Sequence, residues 1–532
     1  MTPFLLAISL ILILCVASNK MFGRIGVPML LIYILLGMCF GADGIVKIPF
    51  KNLDLAEDLC ALGLIFIMLY GGFGTKWSSA RPVAVKAILL SSLGTILTAC
   101  FVGAFTHYVV GFAPLESFLI GSVISSTDAA SVFYILRSHR LNLKYNTASL
   151  LEVESGSNDP TAYMLTIVTL SLMSGQNTPG LFTMLILKQV VLGVAFGFGI
   201  AALTRFFLKH YPIKLSGING SFMVAVALLA YAAPEMLGGN GYLSVYITGI
   251  VLGNSRINNK QELVHFFDGI TGLMQMLLFF LLGLLCIPSQ MTAIALPAAA
   301  IALFLTFVGR PLAVFMILQP LKSPWNKQVL VSWAGMRGAA SIVFAIFAVM
   351  HTAAPSHDIF HMVFFIVLFS ILLQGSLLPV LSRRLDMIDD NADVRKTFTD
   401  YIDETPVQFL QFPIPEDHPW NGMAVKNIAL PPRSLIVMLK RGLTRTVPNG
   451  DTVLEAGDTL ILSGLAINQE DNLKLYERTM EKGSEWINRP IAQIDLIQEF
   501  VILIKRANNI IIPHGDTVIQ EDDVLVLSDK LE

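Results

Sequence analysis

Apolar segments dominate the first 382 residues and constrain the fold of this chain more than any other feature. Most of them come close to the roughly 20 residues that an α-helix needs to cross a bilayer. Hydrophobic residues make up 54% of the 532 residues and charged residues only 14%, which excludes an ordinary soluble globule. We therefore predict an all-α polytopic membrane protein of 13 transmembrane helices, with segments at 3–19, 26–42, 54–72, 82–110, 115–136, 147–173, 181–208, 220–236, 241–253, 270–287, 291–320, 328–353 and 358–382.

Basic residues alternate between the loops that join these segments. One set of loops carries 17 Lys and Arg residues, whereas the opposite set carries only Lys47 and Lys51. Because basic loops remain in the cytoplasm, this bias predicts an N-terminus outside the cell and a C-terminus in the cytoplasm. Thirteen crossings give the same parity. The first basic residues, Lys20 and Arg24, follow the first apolar run, which is the wrong order for a cleaved signal peptide.

Three carboxylates and an amide interrupt the apolar segment at 147–173. The stretch reads Glu152-Val153-Glu154-Ser155-Gly156-Ser157-Asn158-Asp159-Pro160. At 1.5 Å per residue, Asp159 lies about 18 Å into the segment, near the middle of a bilayer. A carboxylate at that depth is costly and indicates function. Ser155 and Asp159, four residues apart, share a helical stripe. These oxygen atoms suit a small cation or a proton.

Two further segments contain signs of a broken helix. The fifth holds Ser125-Ser126-Thr127-Asp128, whose hydroxyl groups can satisfy freed backbone groups, and the twelfth holds Gly335-Met336-Arg337-Gly338. If six segments form each half, with the seventh between them, the two interruptions occupy corresponding places. Interrupted segments at matching positions of inverted repeats predict the binding site of a secondary transporter.

The other charges within the segments need partners. We expect Glu154 and Arg337 to form a structural ion pair that neutralises both charges. Arg310 could pair with Asp128 or Asp159, and the sequence gives it no firm role. The five cysteines lie in apolar segments without metal-ligand spacing or a disulfide framework, so we expect no cofactor.

The motifs resemble, in combination, those of the bacterial NhaP-type sodium or potassium/proton antiporters, which belong to the first class of the cation:proton antiporter superfamily. The resemblance covers roughly residues 1–384. It rests on Thr127-Asp128, on Glu154-Ser155-Gly156-Ser157-Asn158-Asp159-Pro160 and on Gly335-Met336-Arg337-Gly338. It implies a homodimer in the bacterial inner membrane, two crossed broken helices, and the exchange of one monovalent cation for protons, and it implies no enzyme.

The resemblance also implies a role for each site residue. Asp159 would carry the cation or the proton. Asp128, Thr127 and Ser155 would complete the cation shell, and Asn158 would hold the neighbouring backbone. Asn at position 158 resembles the electroneutral branch of the superfamily. The third segment carries no acidic residue between Leu62 and Tyr70, so a ligand that some relatives draw from that helix is missing.

Residues 385–404 form an acidic linker to a duplicated tail. Pro448-Asn449-Gly450-Asp451-Thr452-Val453 matches Pro513-His514-Gly515-Asp516-Thr517-Val518, with a period of about 65 residues. The residue pattern of each copy predicts short strands, a Gly-Asp turn and one short helix. The copies at 405–466 and 467–532 resemble the TrkA C-terminal (RCK-C) domain, the second more loosely. This resemblance favours potassium over sodium as the exchanged cation, although the sequence alone does not decide between them, and implies a role in cytoplasmic pH and cell volume. It is also compatible with a tail that binds a small anionic or nucleotide regulator. A tail that only dimerises or stabilises is the alternative.

Three other functions remain open at this stage. A sodium-coupled solute symporter would share the broken-helix plan and is the principal alternative. A potassium channel would show a filter such as Thr-Val-Gly-Tyr-Gly, which does not occur in the sequence. An intramembrane aspartyl protease could use Asp128 and Asp159, but Ser157-Asn158 replaces the expected Gly-x-Gly before Asp159.

Overall fold

The protein divides into two compact units, Met1–Asp403 and Glu404–Glu532, which we describe separately. The computed structural model describes residues 2–22, 29–48, 50, 52–139, 141–175, 180–210, 216–255, 257, 260–351, 357–389, 407–416, 418–428, 430, 434–442, 444–465, 475–480, 484–494, 499–506, 509–511 and 513–529. Most of the predicted acidic linker, from residue 390 onward, lies outside these residues.

Helices make up the regular secondary structure of the first unit's described residues, apart from one isolated β-bridge between Leu143 and Ile388. Its helices are α1 (Thr2–Phe22), α2 (Met29–Phe40), α3 (Leu53–Gly74), α4 (Trp77–Ala80), α5 (Ala84–Val110), α6 (Pro114–Val123), α7 (Ala129–Ser138), α8 (Thr147–Met173), α9 (Leu181–His210), α10 (Ser216–Met236), α11 (Gly241–Gly253), α12 (Lys260–Leu285), α13 (288–318), α14 (Trp325–Trp333), α15 (Ala339–His351) and α16 (Ile359–Arg384).

Each of the thirteen predicted apolar segments coincides with a helix or with a pair of short helices. The fifth segment forms α6 and α7, and the twelfth forms α14 and α15, so both predicted interruptions fall between helices. Among the described residues, six helices are long and apolar enough to cross a membrane by length and composition. The helix α8 is 27 residues long but contains three carboxylates. That thirteen segments cross the membrane stays a prediction.

Glycines bring two pairs of helices into backbone contact. A Cβ atom on Gly37 of α2 would lie 2.1 Å from the carbonyl oxygen of Phe280 in α12, and one on Gly283 would lie 2.1 Å from that of Ile34. Gly72 of α3 and Gly249 of α11 approach each other's helix in the same way, at 2.4 and 2.5 Å from carbonyl oxygens. Any side chain at these positions would force the helices apart, so glycine fixes both crossings.

The second unit contains two four-stranded antiparallel sheets of identical topology. The first has strand order β1-β4-β2-β3 and the second β5-β8-β6-β7. The strands are β1 (Val407–Pro413), β2 (Leu435–Arg441), β3 (Thr444–Thr446), β4 (Thr459–Leu465), β5 (Leu475–Thr479), β6 (Glu499–Arg506), β7 (Asn509–Ile511) and β8 (Val524–Asp529). The short helix predicted for each copy is a single 3₁₀ turn, Val425–Asn427 and Ile491–Gln493.

The same ion pair closes each copy of the tail. Arg441 donates two hydrogen bonds to the carboxylate of Asp458, both at 2.7 Å, and Arg506 donates two to Asp523 at 2.8 Å. Both carboxylates are buried. Since the pairs join the end of β2 or β6 to the turn before β4 or β8, they hold equivalent loops in the two copies.

Candidate functional site

The helix α8 supplies most of the polar residues of the candidate site and continues through Pro160 without a break. Proline lacks the N–H group that would bond one turn back, and such a residue often kinks a helix. The Pro160 carbonyl accepts a hydrogen bond of 2.9 Å from Nδ2 of Asn240, the residue that caps α11. This contact connects α8 to α11 at the level of Asp159.

The two helix interruptions contact each other. The backbone N–H of Asp128, between α6 and α7, donates to the Met336 carbonyl between α14 and α15, at 2.8 Å. The guanidinium of Arg337 donates to the carbonyls of Ser125 and Ser126 at 2.6 and 2.7 Å. Those carbonyls lie just beyond the C-terminal end of α6, where freed acceptors and the helix dipole favour a cation. Arg337 therefore stabilises the break in the other helix.

The predicted ion pair between Glu154 and Arg337 is wrong: Glu154 pairs with Arg310. Both side chains of the observed pair are buried, with 2% or less of either exposed. Arg310 follows a π-helical turn, Leu305–Gly309, which alters the face that the next residues present. Its guanidinium passes over Gly335, where a Cβ atom would lie 2.6 Å from Nε. Arg337 makes no ion pair within the described ranges: its Nη1 donates to two backbone carbonyls, and its Nε and Nη2 have no hydrogen-bond partner among the described residues.

The predicted site residues lie together where the interruptions meet α8. Ser126 donates a hydrogen bond to the Asp159 carboxylate. Thr127 bonds to the Ser155 hydroxyl at 2.9 Å, and Asn158 donates to Thr127 at 2.5 Å. All of these side chains are buried. The network ties the break after α6 to α8, so Asn158 acts on the break through Thr127.

Asp128 lies at the same junction and lines the same cavity as Asp159. Ser131 donates a hydrogen bond to its carboxylate from the first turn of α7. A Cβ atom on Gly338 would lie 2.4–2.6 Å from the Asp128 side chain. The carboxylate therefore occupies space that only a glycine at the start of α15 leaves open.

A cavity of about 680 Å³ reaches both aspartates. Four carboxylates line it, those of Asp128, Glu152, Asp159 and Asp268, and none of its described lining residues is Lys, Arg or His. The wall from α3 carries no acid, as the sequence indicated, and its Tyr70 donates to Asp268 at 3.0 Å. Sequence reasoning missed Asp268, Tyr70 and Tyr246, because residues this far apart in the chain carry no motif that links them. The cavity can hold a monovalent cation against oxygen ligands.

An electronegative cavity at the junction of two interrupted helices, within a bundle of membrane helices, defines an ion-coupled secondary transporter. Residues 9–384 match the family of transmembrane sodium/hydrogen exchangers, and residues 409–466 and 475–528 match the TrkA-C domain. The chain belongs to the sodium/hydrogen exchanger family. The resemblance to NhaP-type antiporters is thereby confirmed, as is the prediction of a transporter rather than an enzyme.

Several relatives share most of this chain. The K(+)/H(+) antiporter NhaP of Alkalimonas amylolytica is 35% identical over 378 residues, which cover 71% of this chain and 66% of that protein, just under two thirds of its length. The K(+)/H(+) antiporter NhaP2 of Shewanella baltica is 30% identical over 91% of this chain and 84% of its own length. The Na(+)/H(+) antiporter ApNhaP of Aphanothece halophytica is 26% identical over 72% of this chain and 74% of its own.

A solved structure shares the helical fold. The sodium proton antiporter MjNhaP1 from Methanocaldococcus jannaschii superposes with a TM-score of 0.64 at 23% identity, covering 71% of this chain and 97% of that one. At this identity the likeness shows the fold alone. It confirms a helical membrane fold of the NhaP type for the first unit.

Proposed function

We propose that this protein exchanges a monovalent cation, potassium rather than sodium, for protons across the plasma membrane without net charge transfer. Potassium is favoured because two of the named relatives, at 35% and 30% identity, are K(+)/H(+) antiporters. The two TrkA-C domains of this chain, which resemble those of the potassium/proton branch, favour the same ion. Such exchange would regulate cytoplasmic pH and cation content.

The observation that carries this proposal is the position of Asp159. Its buried carboxylate lies in the cavity, and among the described contacts its hydrogen-bond partner is the neutral hydroxyl of Ser126. The nearby basic groups are engaged elsewhere, since Arg310 pairs with Glu154 and Arg337 binds carbonyls. A proton and a cation can therefore compete for the same negative charge, which couples their movement in opposite directions.

The remaining site assignments follow from the same geometry. Asp128 and Ser155 would supply further oxygens to the cation, and Thr127 would position the break beside it. Asn158 would hold that break, because it donates to Thr127. Glu154 and Arg310 would form the structural pair. The site would hold the transported ion and no resident metal.

The proposal extends to topology and assembly. Thirteen crossings with inverted repeats and crossed broken helices would place the N-terminus outside and the tail in the cytoplasm, as the loop charges indicate. The antiporter domain would span 1–384 and the linker 385–404, with tail domains at 405–466 and 467–532. The protein would form a homodimer, and the tail would bind a small anionic or nucleotide regulator.

The test measures how each cation dissipates a pH gradient across proteoliposomes that contain the purified protein. Lithium, sodium, potassium and rubidium are added in turn. We expect potassium and rubidium to be the most effective, and the Asp159→Asn variant to lose exchange while keeping the wild-type melting temperature, because a neutral side chain at that depth costs less than a charge. Asp54→Asn, which changes an exposed carboxylate at the start of α3, is the matched control and should transport normally.

The outcome separates the alternatives. Near wild-type exchange by Asp159→Asn would refute the assignment of this carboxylate. Sodium-dependent uptake of an organic solute, without dissipation of the pH gradient by any cation, would instead indicate a symporter.

A further inference from the structure

A tyrosine from α11 reaches into the cavity next to α8. The phenol of Tyr246 lies directly over Gly156, where a Cβ atom would come within 2.8 Å of its hydroxyl and 2.9–3.1 Å of its ring. The backbone of Tyr246 is fixed in turn, because its carbonyl oxygen abuts Gly72 of α3. The position of the hydroxyl is therefore set by two glycines, one on each neighbouring helix.

The Tyr246 hydroxyl has no hydrogen-bond partner among the described residues, although the side chain is only 3% exposed. The Thr75 hydroxyl lies near it, outside hydrogen-bonding geometry, and itself donates to the Gly71 carbonyl at 3.0 Å. A buried polar group without a partner costs roughly 1–3 kcal/mol. This cost indicates that a ligand supplies the missing contact.

Carboxylates lie on both sides of this hydroxyl. Glu152, Gly156 and Asp159 are spaced four and three residues apart, so they follow one stripe of α8. Both acids lie close enough to Tyr246 to act electrostatically on its hydroxyl. They are separated along the helix by seven residues, or about 10 Å at 1.5 Å per residue, which is too far for one dehydrated cation to bind both.

We propose that the Tyr246 hydroxyl and the Glu152 carboxylate form a second site for a monovalent cation, which the ion occupies before it reaches Asp159. The cavity that both carboxylates and the tyrosine line gives the ion a path between Glu152 and Asp159. The cavity also contains a carboxylate at Asp268 and no basic residue among its described lining, so its electrostatic potential attracts cations along this path. This inference rests on the proposed cation/proton exchange.

The first experiment compares Tyr246→Phe with Tyr163→Phe in proteoliposomes. Tyr163 is also buried, but it does not line the cavity. Loss of an ion ligand outside the exchange site should raise the KM for potassium roughly tenfold and leave the maximal rate unchanged, since saturating cation compensates for the weaker site. Tyr163→Phe should leave KM unchanged. A wild-type KM in Tyr246→Phe, or a lower maximal rate at unchanged KM, would overturn the proposal.

The second variant perturbs the same contact from the opposite helix. Gly156→Ala places a methyl group within 2.8 Å of the Tyr246 hydroxyl, which has to shift, and should raise KM as Tyr246→Phe does. Gly199→Ala, at a position of α9 outside the cavity lining where a Cβ atom meets nothing within 4 Å, is the control that should behave as wild type. Equal KM values for Gly156→Ala and wild type would contradict the site.

Equilibrium binding of rubidium-86 to the purified full-length protein gives a readout independent of transport. Asp159→Asn should keep weak binding, and Asp159→Asn/Tyr246→Phe should lose it. Equal binding by the two variants, or none by Asp159→Asn, would overturn the second site. If the wild-type protein exchanges no cation, the proposed function fails; if it does exchange cations and Tyr246→Phe matches it in KM and in binding, only this inference fails.

Discussion

The charged side chains near the centre of the first unit divide their tasks. Arg310 neutralises Glu154, and Arg337 binds the carbonyls of Ser125 and Ser126. Neither guanidinium contacts Asp159 among the described interactions, so the protein supplies that carboxylate with a hydroxyl instead of a fixed cation. A permanent cation at Asp159 would compete with the transported ion. The described contacts include no such permanent cation, so the charge of the site depends on whether a proton or the transported cation is bound to Asp159.

Removing one partner of the Glu154–Arg310 pair should be strongly destabilising. Glu154→Leu or Arg310→Met alone leaves a buried charge without compensation, which costs about 3–5 kcal/mol. The double variant Glu154→Leu/Arg310→Met should recover much of the lost stability, since no charge then remains. The measurement is a double-mutant cycle of melting temperature in detergent.

The control for this cycle replaces the other arginine. Glu154→Leu/Arg337→Met should show additive losses, because Arg337 stabilises backbone carbonyls rather than Glu154. Rescue by Arg337→Met and not by Arg310→Met would contradict the observed pairing.

The correct partner of Glu154 was beyond the reach of the sequence. Arg310 and Arg337 both lie within apolar segments beside residue types that disfavour a continuous helix, Pro311 and Gly338 respectively. Which of them meets Glu154 depends on a π turn that reorients Arg310 and on the bare surface of Gly335. The residues around Asp159 were predictable for the opposite reason, because most of them lie within one helical stretch or one interruption.

At the scale of helices, the contact between the two interruptions determines where Asp128 lies. Gly338→Ala should abolish or severely reduce transport, because its methyl group would lie 2.4–2.6 Å from the Asp128 side chain. Gly269→Ala in α12 is the matched control, since a Cβ atom there meets nothing within 4 Å and alanine favours a helix. Both variants are assayed by cation-dependent dissipation of the pH gradient. Normal exchange by Gly338→Ala would show that Asp128 has room to move aside.

The Arg–Asp pair in each tail domain predicts a dependence of stability on pH. Hydrogen bonds from Arg441 hold the pKa of Asp458 below its ordinary value of 3.8, despite its burial. The stabilisation is therefore complete above pH 3.8 and is lost as the pH falls through the folded-state pKa. Asp458→Asn should accelerate hydrogen exchange of residues 407–465 severalfold at pH 7, with a smaller difference from wild type below the folded-state pKa.

The second copy provides the internal reference for this measurement. Exchange of residues 475–529 should not change in Asp458→Asn, because its own pair joins Arg506 to Asp523. Asp451→Asn, which removes an exposed pair with Lys426, should have little effect on either copy. Equal acceleration in both copies would indicate that they unfold together.

The positions of helices and breaks followed from apolar periodicity, glycine and proline, which act locally. Among the described residues, the short helix predicted for each tail domain is a 3₁₀ turn of three residues, such as Val425–Asn427. The lining of the cavity by Asp268 and Tyr246 depends on packing between helices distant in sequence, which local pattern does not encode.

At the scale of the whole molecule, we expect the tail to regulate exchange without taking part in it. Its two domains form a compact unit separate from the one that contains Asp159. Removing residues 400–532 should therefore leave ion selectivity unchanged and shift the apparent cation affinity as a function of pH, by altering the balance of conformational states. Full-length and truncated proteins are compared in liposomes at several pH values.

Two results would contradict this expectation. A truncated protein that is folded but inactive would make the tail part of the transport machinery. Identical pH profiles, with and without added nucleotides, would leave the tail a purely structural role.

The glycine contacts between α2 and α12, and between α3 and α11, have a consequence for genetics. A side chain at Gly37, Gly72, Gly249 or Gly283 would strike a carbonyl oxygen of the main chain. Every residue type has that oxygen, so no substitution in the facing helix can make room for the intruding atom. A second mutation in the facing helix therefore cannot suppress such a mutation. A suppressor has to act at the ends of the helices, where it can let a whole helix move. The four glycines are therefore positions at which a transporter of this kind cannot exchange one residue pair for another during evolution.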